Sequence, residues 1–409
     1  MKAGVMISFM LFCLYAEAQI FTPDTNAYKS FIQVDLNIEY ENGVFDNEFI
    51  DLLFSDSFIP REIRTENLNR QTLQNPFGLN FIQNNEAYLG MVKPIKKRER
   101  FGLKVGFDWR FSLYGKHSDD FMTLAFLGNQ PFINESANAG PTEINLFNHQ
   151  RLKFGIYDKR KHSFLNIALG KGTRLIQYSF DRSAISTSAD GSSIDFNWNG
   201  SYRNVDQNNW TDFNGKSISL DGRYYFIHRP SEKRKFLNIL YAELSHFGIM
   251  HWNKTSETQL DTSFTFDGFE IGNFLDDSFT FPDQNAIEDS ININSEQKSH
   301  TQFLPYRILF NASSLRESGI SYGFEVDYWA RMNMIPNIRF QLGYLARRNL
   351  KFNSEFTLGG YQNFKAGFWL EWELNYSWYW KIGTHHFIDN FSNNGLGRSI
   401  FINLKRDIR

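Results

Sequence analysis

The sequence predicts an all-β protein, a single antiparallel transmembrane β-barrel of about 14 strands, with roughly 12 to 16 allowed. Three observations point there. Apolar and polar side chains alternate in runs that recur from residue 31 to the end of the chain. Several runs reach the ~9–11 residues a tilted strand needs to cross a bilayer, against ~5–6 in soluble sheets. Aromatic residues make up 17% of the chain, a load that suits a lipid-facing wall with Tyr and Trp at its rims.

Taken in order, the chain opens with Lys2, an apolar run from Val5 to Tyr15, and "AEA" ending at Ala18. That is the layout of a secretory signal peptide over 1–18, leaving 19–409 as one barrel domain. The only cysteine, Cys13, falls in the leader, so the mature chain is expected to have neither disulfide nor thiolate chemistry. A large residue, Phe12, precedes it, which argues against lipid attachment.

"FIQVDLNIEY" (31–40) then sets Ile32, Val34, Leu36, Ile38 and Tyr40 against Gln33, Asp35, Asn37 and Glu39. Successive strand side chains point to opposite faces, so one face is apolar and the other polar. The pattern returns at 101–113, 194–202, 319–330, 338–344 and 364–380, the last taken as one long run. Looser alternation marks 86–92, 150–157, 164–181, 216–227, 236–249, 303–313 and 399–405. Residues 164–181 read equally as one strand or two. Two stretches read as helix, 47–55 and 119–129, each opening on Asp or Asn in the manner of an N-cap. They would sit on the rim or plug part of the lumen. Between strands, short basic turns (93–99, 158–163, 228–235) contrast with long segments, above all the acidic 252–300, expected to be an exposed loop.

Net charge is −2, from 43 basic and 45 acidic residues, which gives nucleic acid no basic face to bind. Mean hydropathy is −0.43, and no run approaches the ~18 apolar residues of a membrane helix. The rival architecture, a secreted β-sandwich or propeller, explains the alternation but not the strand length. No phosphate loop, zincin helix or nucleophile elbow occurs; "LGKGTR" (169–174) reads as strand glycines. No nucleophile and base can be paired, so no catalytic residue, cofactor or metal is assigned and no enzyme is expected. The adjacent His385 and His386 read as a solvated pair, Asp276, Asp277 and Asp283 lack calcium-loop spacing, and "DSI" (289–291) matches a short O-glycosylation signature. The polar face supplies the candidate lumen residues: Lys104, Asp108, Arg110, Asp221, Arg223, Glu325, Asp327, Glu371 and Glu373. Their mixed signs suit strand-locking pairs as well as a selective passage.

The order of "ENLNRQTLQNPFGLNF", "DDFMTLAFLGNQPF", "FTFDGFEIGNFLDD" with "TQFLPYRILFNASS", and "NNGLGRSIFINL" resembles an uncharacterised family of Bacteroidota outer-membrane β-barrels. The Asn-Pro-Ala-Phe segment associated with such barrels is missing. The resemblance implies a Gram-negative outer membrane, with lipid as the surrounding partner, and no reaction. Two functions follow as expectations. One is a narrow pore or transport channel for small polar or amphipathic solutes. The other is a non-conducting scaffold holding a lipoprotein or a secretion or surface assembly.

Overall fold

The structure, a computed structural model, describes residues 30–55, 57–90, 101–158, 161–190, 193–205, 213–228, 237–266, 295–314, 319–347, 349–362, 364–374 and 378–408. Leader residues 1–18, the basic turn at 93–99, the acidic centre of the 252–300 segment and the glycosylation match at 289–291 fall largely or wholly outside them. The strands are β1 (Ser30–Asn42), β2 (Asn75–Gly90), β3 (Phe101–His117), β4 (Ser136–Asn138), β5 (Thr142–Asp158), β6 (Ser163–Phe180), β7 (Ala184–Thr187), β8 (Ile194–Val205) and β9 (Gly215–His228). They continue as β10 (Ile239–Phe266), β11 (Ser295–Phe303), β12 (Tyr306–Ser314), β13 (Ile320–Ala330), β14 (Ile335–Arg347), β15 (Leu350–Gly360), β16 (Phe364–Leu374), β17 (Trp378–Thr384) and β18 (Gly397–Ile408).

The wall is closed because β1 pairs antiparallel with both β2 and β18. β8 and β9 lie end to end between β6 and β10 and fill one place in the wall. β11 and β12 likewise share a place beside β10, broken at Leu304 and Pro305. Pro305 has no N–H to give a ladder, which accounts for the interruption. With β4 and β7 outside the wall, this is a closed 14-strand antiparallel barrel. Ser30 lies opposite Ile408, so the described chain begins and ends at one mouth, as an even strand number requires.

The outer surface carries the apolar half of each alternation. Leu152, Phe154 and Ile156 on β5 face Leu169, Ile167 and Leu165 on β6, all exposed. Leu169 and Ile167 in turn face Ile218 and Leu220 on β9. The same band continues on the other side, where Phe340 pairs with Phe356 and Ile338 with Leu358. Trp372 and Trp380 pair across β16 and β17 toward the mouth that holds the termini, where a rim girdle belongs. An exposed apolar belt of this extent is tolerated in lipid rather than water.

Several expectations need correction. The run at 364–380 is not one strand: β16 ends at Leu374, and β17 returns antiparallel to it from Trp378. Most of 252–300 was expected as loop, yet β10 runs to Phe266 and β11 starts at Ser295, while 267–294 lies outside the described residues. The miss has a physical cause. On the outer part of β10, Gln259, Asp261 and Ser263 are exposed beyond the apolar band and Thr and Ser interleave with the few apolar residues, so the alternation is weak there. Tyr202 sits there stacked on Tyr178 at 4.5 Å.

Residues 164–181 are one strand, β6, with a bulge against β5 beside His149. The extra residue, Thr173, reverses the facing, so Leu169 points out and Leu175 points in.

The helices are α1 (Asn47–Phe54), α2 (Arg61–Asn69) and α3 (Asp119–Leu127). α1 and α3 match the two expected helical stretches, capped one residue earlier than read. Asp46 Oδ1 accepts from Phe49 N at 2.9 Å, and Ser118 Oγ accepts from Phe121 N at 3.1 Å. α2 was not anticipated; Ile63 and Leu68 are its only apolar residues, too few to make an apolar stripe. α1 closes over the mouth opposite the termini. Phe49 stacks on Phe45 at 4.6 Å and meets Phe126 of α3 edge-on at 4.9 Å. Asn47 Nδ2 donates to the carbonyls of Asp389 (2.7 Å) and Ser392 (2.9 Å), fastening the helix to the loop before β18.

Candidate functional site

The interior of the barrel is where the polar halves of the strands converge, and it is filled. Strand register places opposite charges on facing positions. Asp108 on β3 lies opposite Arg151 on β5, and Glu325 on β13 opposite Arg339 on β14. Arg151 is fully buried between two aspartates. Its Nη2 is 2.6 Å from Asp108 Oδ2, and its Nη1 is 3.0 Å from Asp221 Oδ1. Lys153 extends the chain, 3.5 Å from Asp108 and 2.7 Å from Glu86, and Lys104 reaches the same Glu86 at 2.6 Å. Lys104 also lies over the Phe164 ring, 3.5 Å from its centroid. A second network joins Arg339 to Glu325 (2.7 Å) and Asp327 (3.0 Å), with Arg307 on Asp327 at 2.6 Å. Arg223 pairs with Glu243 at 2.5 Å.

Charges removed from water are costly unless paired, so each network holds neighbouring strands in register. Lys104, Asp108, Asp221, Arg223, Glu325 and Asp327 are thereby placed among partners inside the barrel. Glu371 and Glu373 stand apart from these networks. Trp369 Nε1 donates to Glu371 at 2.9 Å, with Lys351 at 3.9 Å. Glu373 is buried and its Oε2 has no partner among the described residues.

Arg110 behaves differently. Its guanidinium sits 3.8 Å from the centroid of Trp329 on β13, donates to the Pro305 carbonyl at 3.3 Å and meets Met332 Sδ at 2.9 Å. From β3 to β13 the wall passes through β5, β6, the β8 and β9 place, β10, and the β11 and β12 place. Arg110 therefore contacts nearly the opposite wall. The turn between β13 and β14 completes this bridge. Arg331 and Asn333 take positive φ (69° and 53°), which turns the chain sharply and sets Met332 fully buried. Met332 packs with Tyr114 of β3 and Tyr361, whose hydroxyl donates to the Met332 carbonyl at 2.5 Å. Asn333 reaches Glu143 on β5 at 2.9 Å.

Beside this bridge the interior is apolar. Phe147, Leu175, Val205, Met250, Trp252 and Leu304 form a buried cluster inside the wall, a departure from the uniformly polar inner face expected of the alternation. Gly172 and Gly215 make room for it. A Cβ at Gly172 would stand 2.5 Å from the Trp252 ring, and one at Gly215 2.9 Å from it.

His385 and His386 are not a solvated pair. His385 Nδ1 is 2.5 Å from Glu355 Oε1, while buried His386 lies 3.2 Å from Glu39 and 3.4 Å from Asp389. Lys365 sits 2.7 Å from Glu41 and 3.3 Å from Glu39.

Sequence reading missed Arg151, Lys153, Glu86, Arg307, Arg339, Glu243, His149 and His246. Most lay in runs with loose alternation. The findable signal was register, since Asp108 faces Arg151 and Glu325 faces Arg339 across neighbouring strands.

No family model and no curated protein matches the chain. Among solved structures, the Pseudomonas putida toluene transporter TodX aligns at 8% identity over 95% of this chain and 91% of that one, with a TM-score of 0.41. The translocator domain of the Neisseria meningitidis autotransporter NalP aligns at 9% identity over 94% and 91%, with a TM-score of 0.30. The beta domain of the Bordetella autotransporter BrkA aligns at 8% identity over 93% and 100%, with a TM-score of 0.31.

Proposed function

We propose that this protein is an outer-membrane barrel of a Gram-negative bacterium, of the Bacteroidota type its sequence resembles. In this reading it works as a normally closed, gated passage for small polar or amphipathic solutes. The observation that carries the reading is the closure by Arg110, Trp329 and the short turn at 331–334. They meet across the lumen. A turn of this size, held by a few side-chain contacts from Tyr361, Arg110 and Glu143 and by packing, is a gate that a modest displacement opens.

The scaffold alternative, holding a lipoprotein or a secretion component, keeps support from one feature. The sheet of β6, β8 and β10 continues past the apolar band as a polar projection suited to contact with another protein.

Planar bilayers test the reading. The wild type is expected to be mostly silent. A variant with Arg110→Ala and the 331–334 turn shortened to Asn-Gly is expected to give discrete conductance steps. Charge reversal at Glu371 and Glu373 should then alter ion selectivity. If the opened variant stays silent while still showing the heat-dependent gel shift of a folded barrel, the scaffold reading replaces it.

A further inference from the structure

Two histidines of the interior belong to none of the ion networks. His149 on β5 is fully buried and His246 on β10 is 7% exposed. Neither ring nitrogen of either imidazole has a hydrogen-bond partner among the described residues. A buried imidazole with neither ring nitrogen paired is costly, so two of them side by side ask for a ligand. The two rings are edge-on, 5.7 Å apart. One nitrogen of each ring and a carboxylate oxygen of Asp108 all lie within 4.8 Å of one another.

The backbone is shaped to present them. His246 occupies a bulge of β10 between Leu244 and Phe247, at a φ of 63° that a residue with a side chain rarely adopts. Its N–H donates to Asp221 at 2.6 Å, which holds the bulge in place. His149 stands beside the bulge that Thr173 makes in β6. Bulges recur where a strand must re-aim a side chain.

We propose that Asp108, His149 and His246 bind one divalent transition-metal ion of the zinc or copper class, tying β3 and β5 to β10 across the lumen. Two imidazoles and a carboxylate are a common donor set for such ions, with the neutral imidazole as the ligating form. Asp108 keeps its contacts to Arg151, which orients the carboxylate as a second-shell partner does. The charge balance selects the metal. Arg151 is offset by Asp108 and Asp221, and Lys153 by Glu86, but Arg110 places its charge on Trp329 and a carbonyl, close to the site. An ion there must gain from strong nitrogen bonds, which favours copper and zinc over magnesium, calcium or manganese. The other group with suitable donors, Glu39, Glu41 and His386, already holds the Lys365 ammonium. The site lies outside the metal-free expectation drawn from sequence, because its three residues come from three separate strands.

The test uses the full mature barrel, refolded in detergent, with Cu2+ and Zn2+ as probes. Calorimetry is expected to give one ion per chain, and the Cu2+ electron paramagnetic resonance spectrum to show coupling to two imidazole nitrogens. His149→Phe and His246→Gln should each weaken binding by about 100-fold, at least the upper end of what loss of a second-shell partner costs. His251→Ala, a wall histidine outside the site, should change nothing. The heat-dependent gel shift confirms that each variant folds. If a variant does not fold, the wild-type two-nitrogen spectrum and its persistence in His251→Ala still decide. No binding, a single-nitrogen spectrum, or affinity unchanged in both folded site variants would overturn the proposal.

Discussion

Arg151 is the residue on which most of the interior charge depends. It is fully buried, bidentate to Asp108, and bonded to both Asp221 and Ser219. Removing one partner of a buried ion pair typically costs ~3–5 kcal/mol, because the remaining charge stays out of water. Arg151→Met, which keeps the bulk and strips two aspartates of their counter-charge, is therefore expected to destabilise the barrel by about that amount. Urea unfolding in lipid vesicles, followed by tryptophan fluorescence, reads the change. Adding Asp108→Asn and Asp221→Asn should recover most of the loss, since three uncharged side chains carry no unpaired charge. At this scale the sequence was half legible. Alternation alone placed Asp108 and Asp221 on the inner face, but their partner Arg151 sits in "NHQRLKFG", where the rhythm is loose. Arg110 was read as one more lumen charge. That it crosses to Trp329 depends on closure of the wall, which no local pattern encodes.

At the scale of elements, the strands with the strongest alternation were the most legible. β1, β3, β13 and the start of β16 lie where the rhythm puts them, because one face meets lipid and the other the interior. Legibility failed where that contrast fails. The outer part of β10 exposes polar rather than apolar side chains, and α2 has only Ile63 and Leu68 as apolar residues. The bulges were invisible as well, since a single extra residue looks like an imperfect run. β6 carries the sharpest consequence. Its "LGKGTR" glycines are strand residues as read, and Gly172 is where the Trp252 ring comes closest. Gly172→Ala would force that ring against a new Cβ inside the apolar cluster, an overpacking that costs ~1–3 kcal/mol. The unfolding midpoint should fall accordingly, and Trp252→Leu in the same chain should restore part of it. An unchanged midpoint for Gly172→Ala would mean that Trp252 does not occupy this position.

The whole molecule joins an exposed apolar band, a closed 14-strand wall and an interior bridged from side to side. The first two were legible in strand length and aromatic load. The third was left between a narrow passage and a plug, because mixed charges suit both. The bridge also sets the division of labour between strands and turns. The wall pairs by backbone, while the interior is bridged by side chains and by the four residues at 331–334. The contact between Arg110 and Trp329 is the centre of that bridge, and the most direct measurement is a thiol cross-link between them. Arg110→Cys and Trp329→Cys are introduced together in a Cys13→Ser background, the chain's one native cysteine being Cys13. A short bifunctional thiol reagent is then applied to the barrel folded in vesicles. The control pair is Arg110→Cys with Ile82→Cys, facing positions on β3 and β2. Both pairs are expected to link in the folded barrel, and the 110–329 link to be lost when the chain is unfolded before the reagent is added. A folded barrel in which the control pair links and the 110–329 pair does not would contradict the bridge.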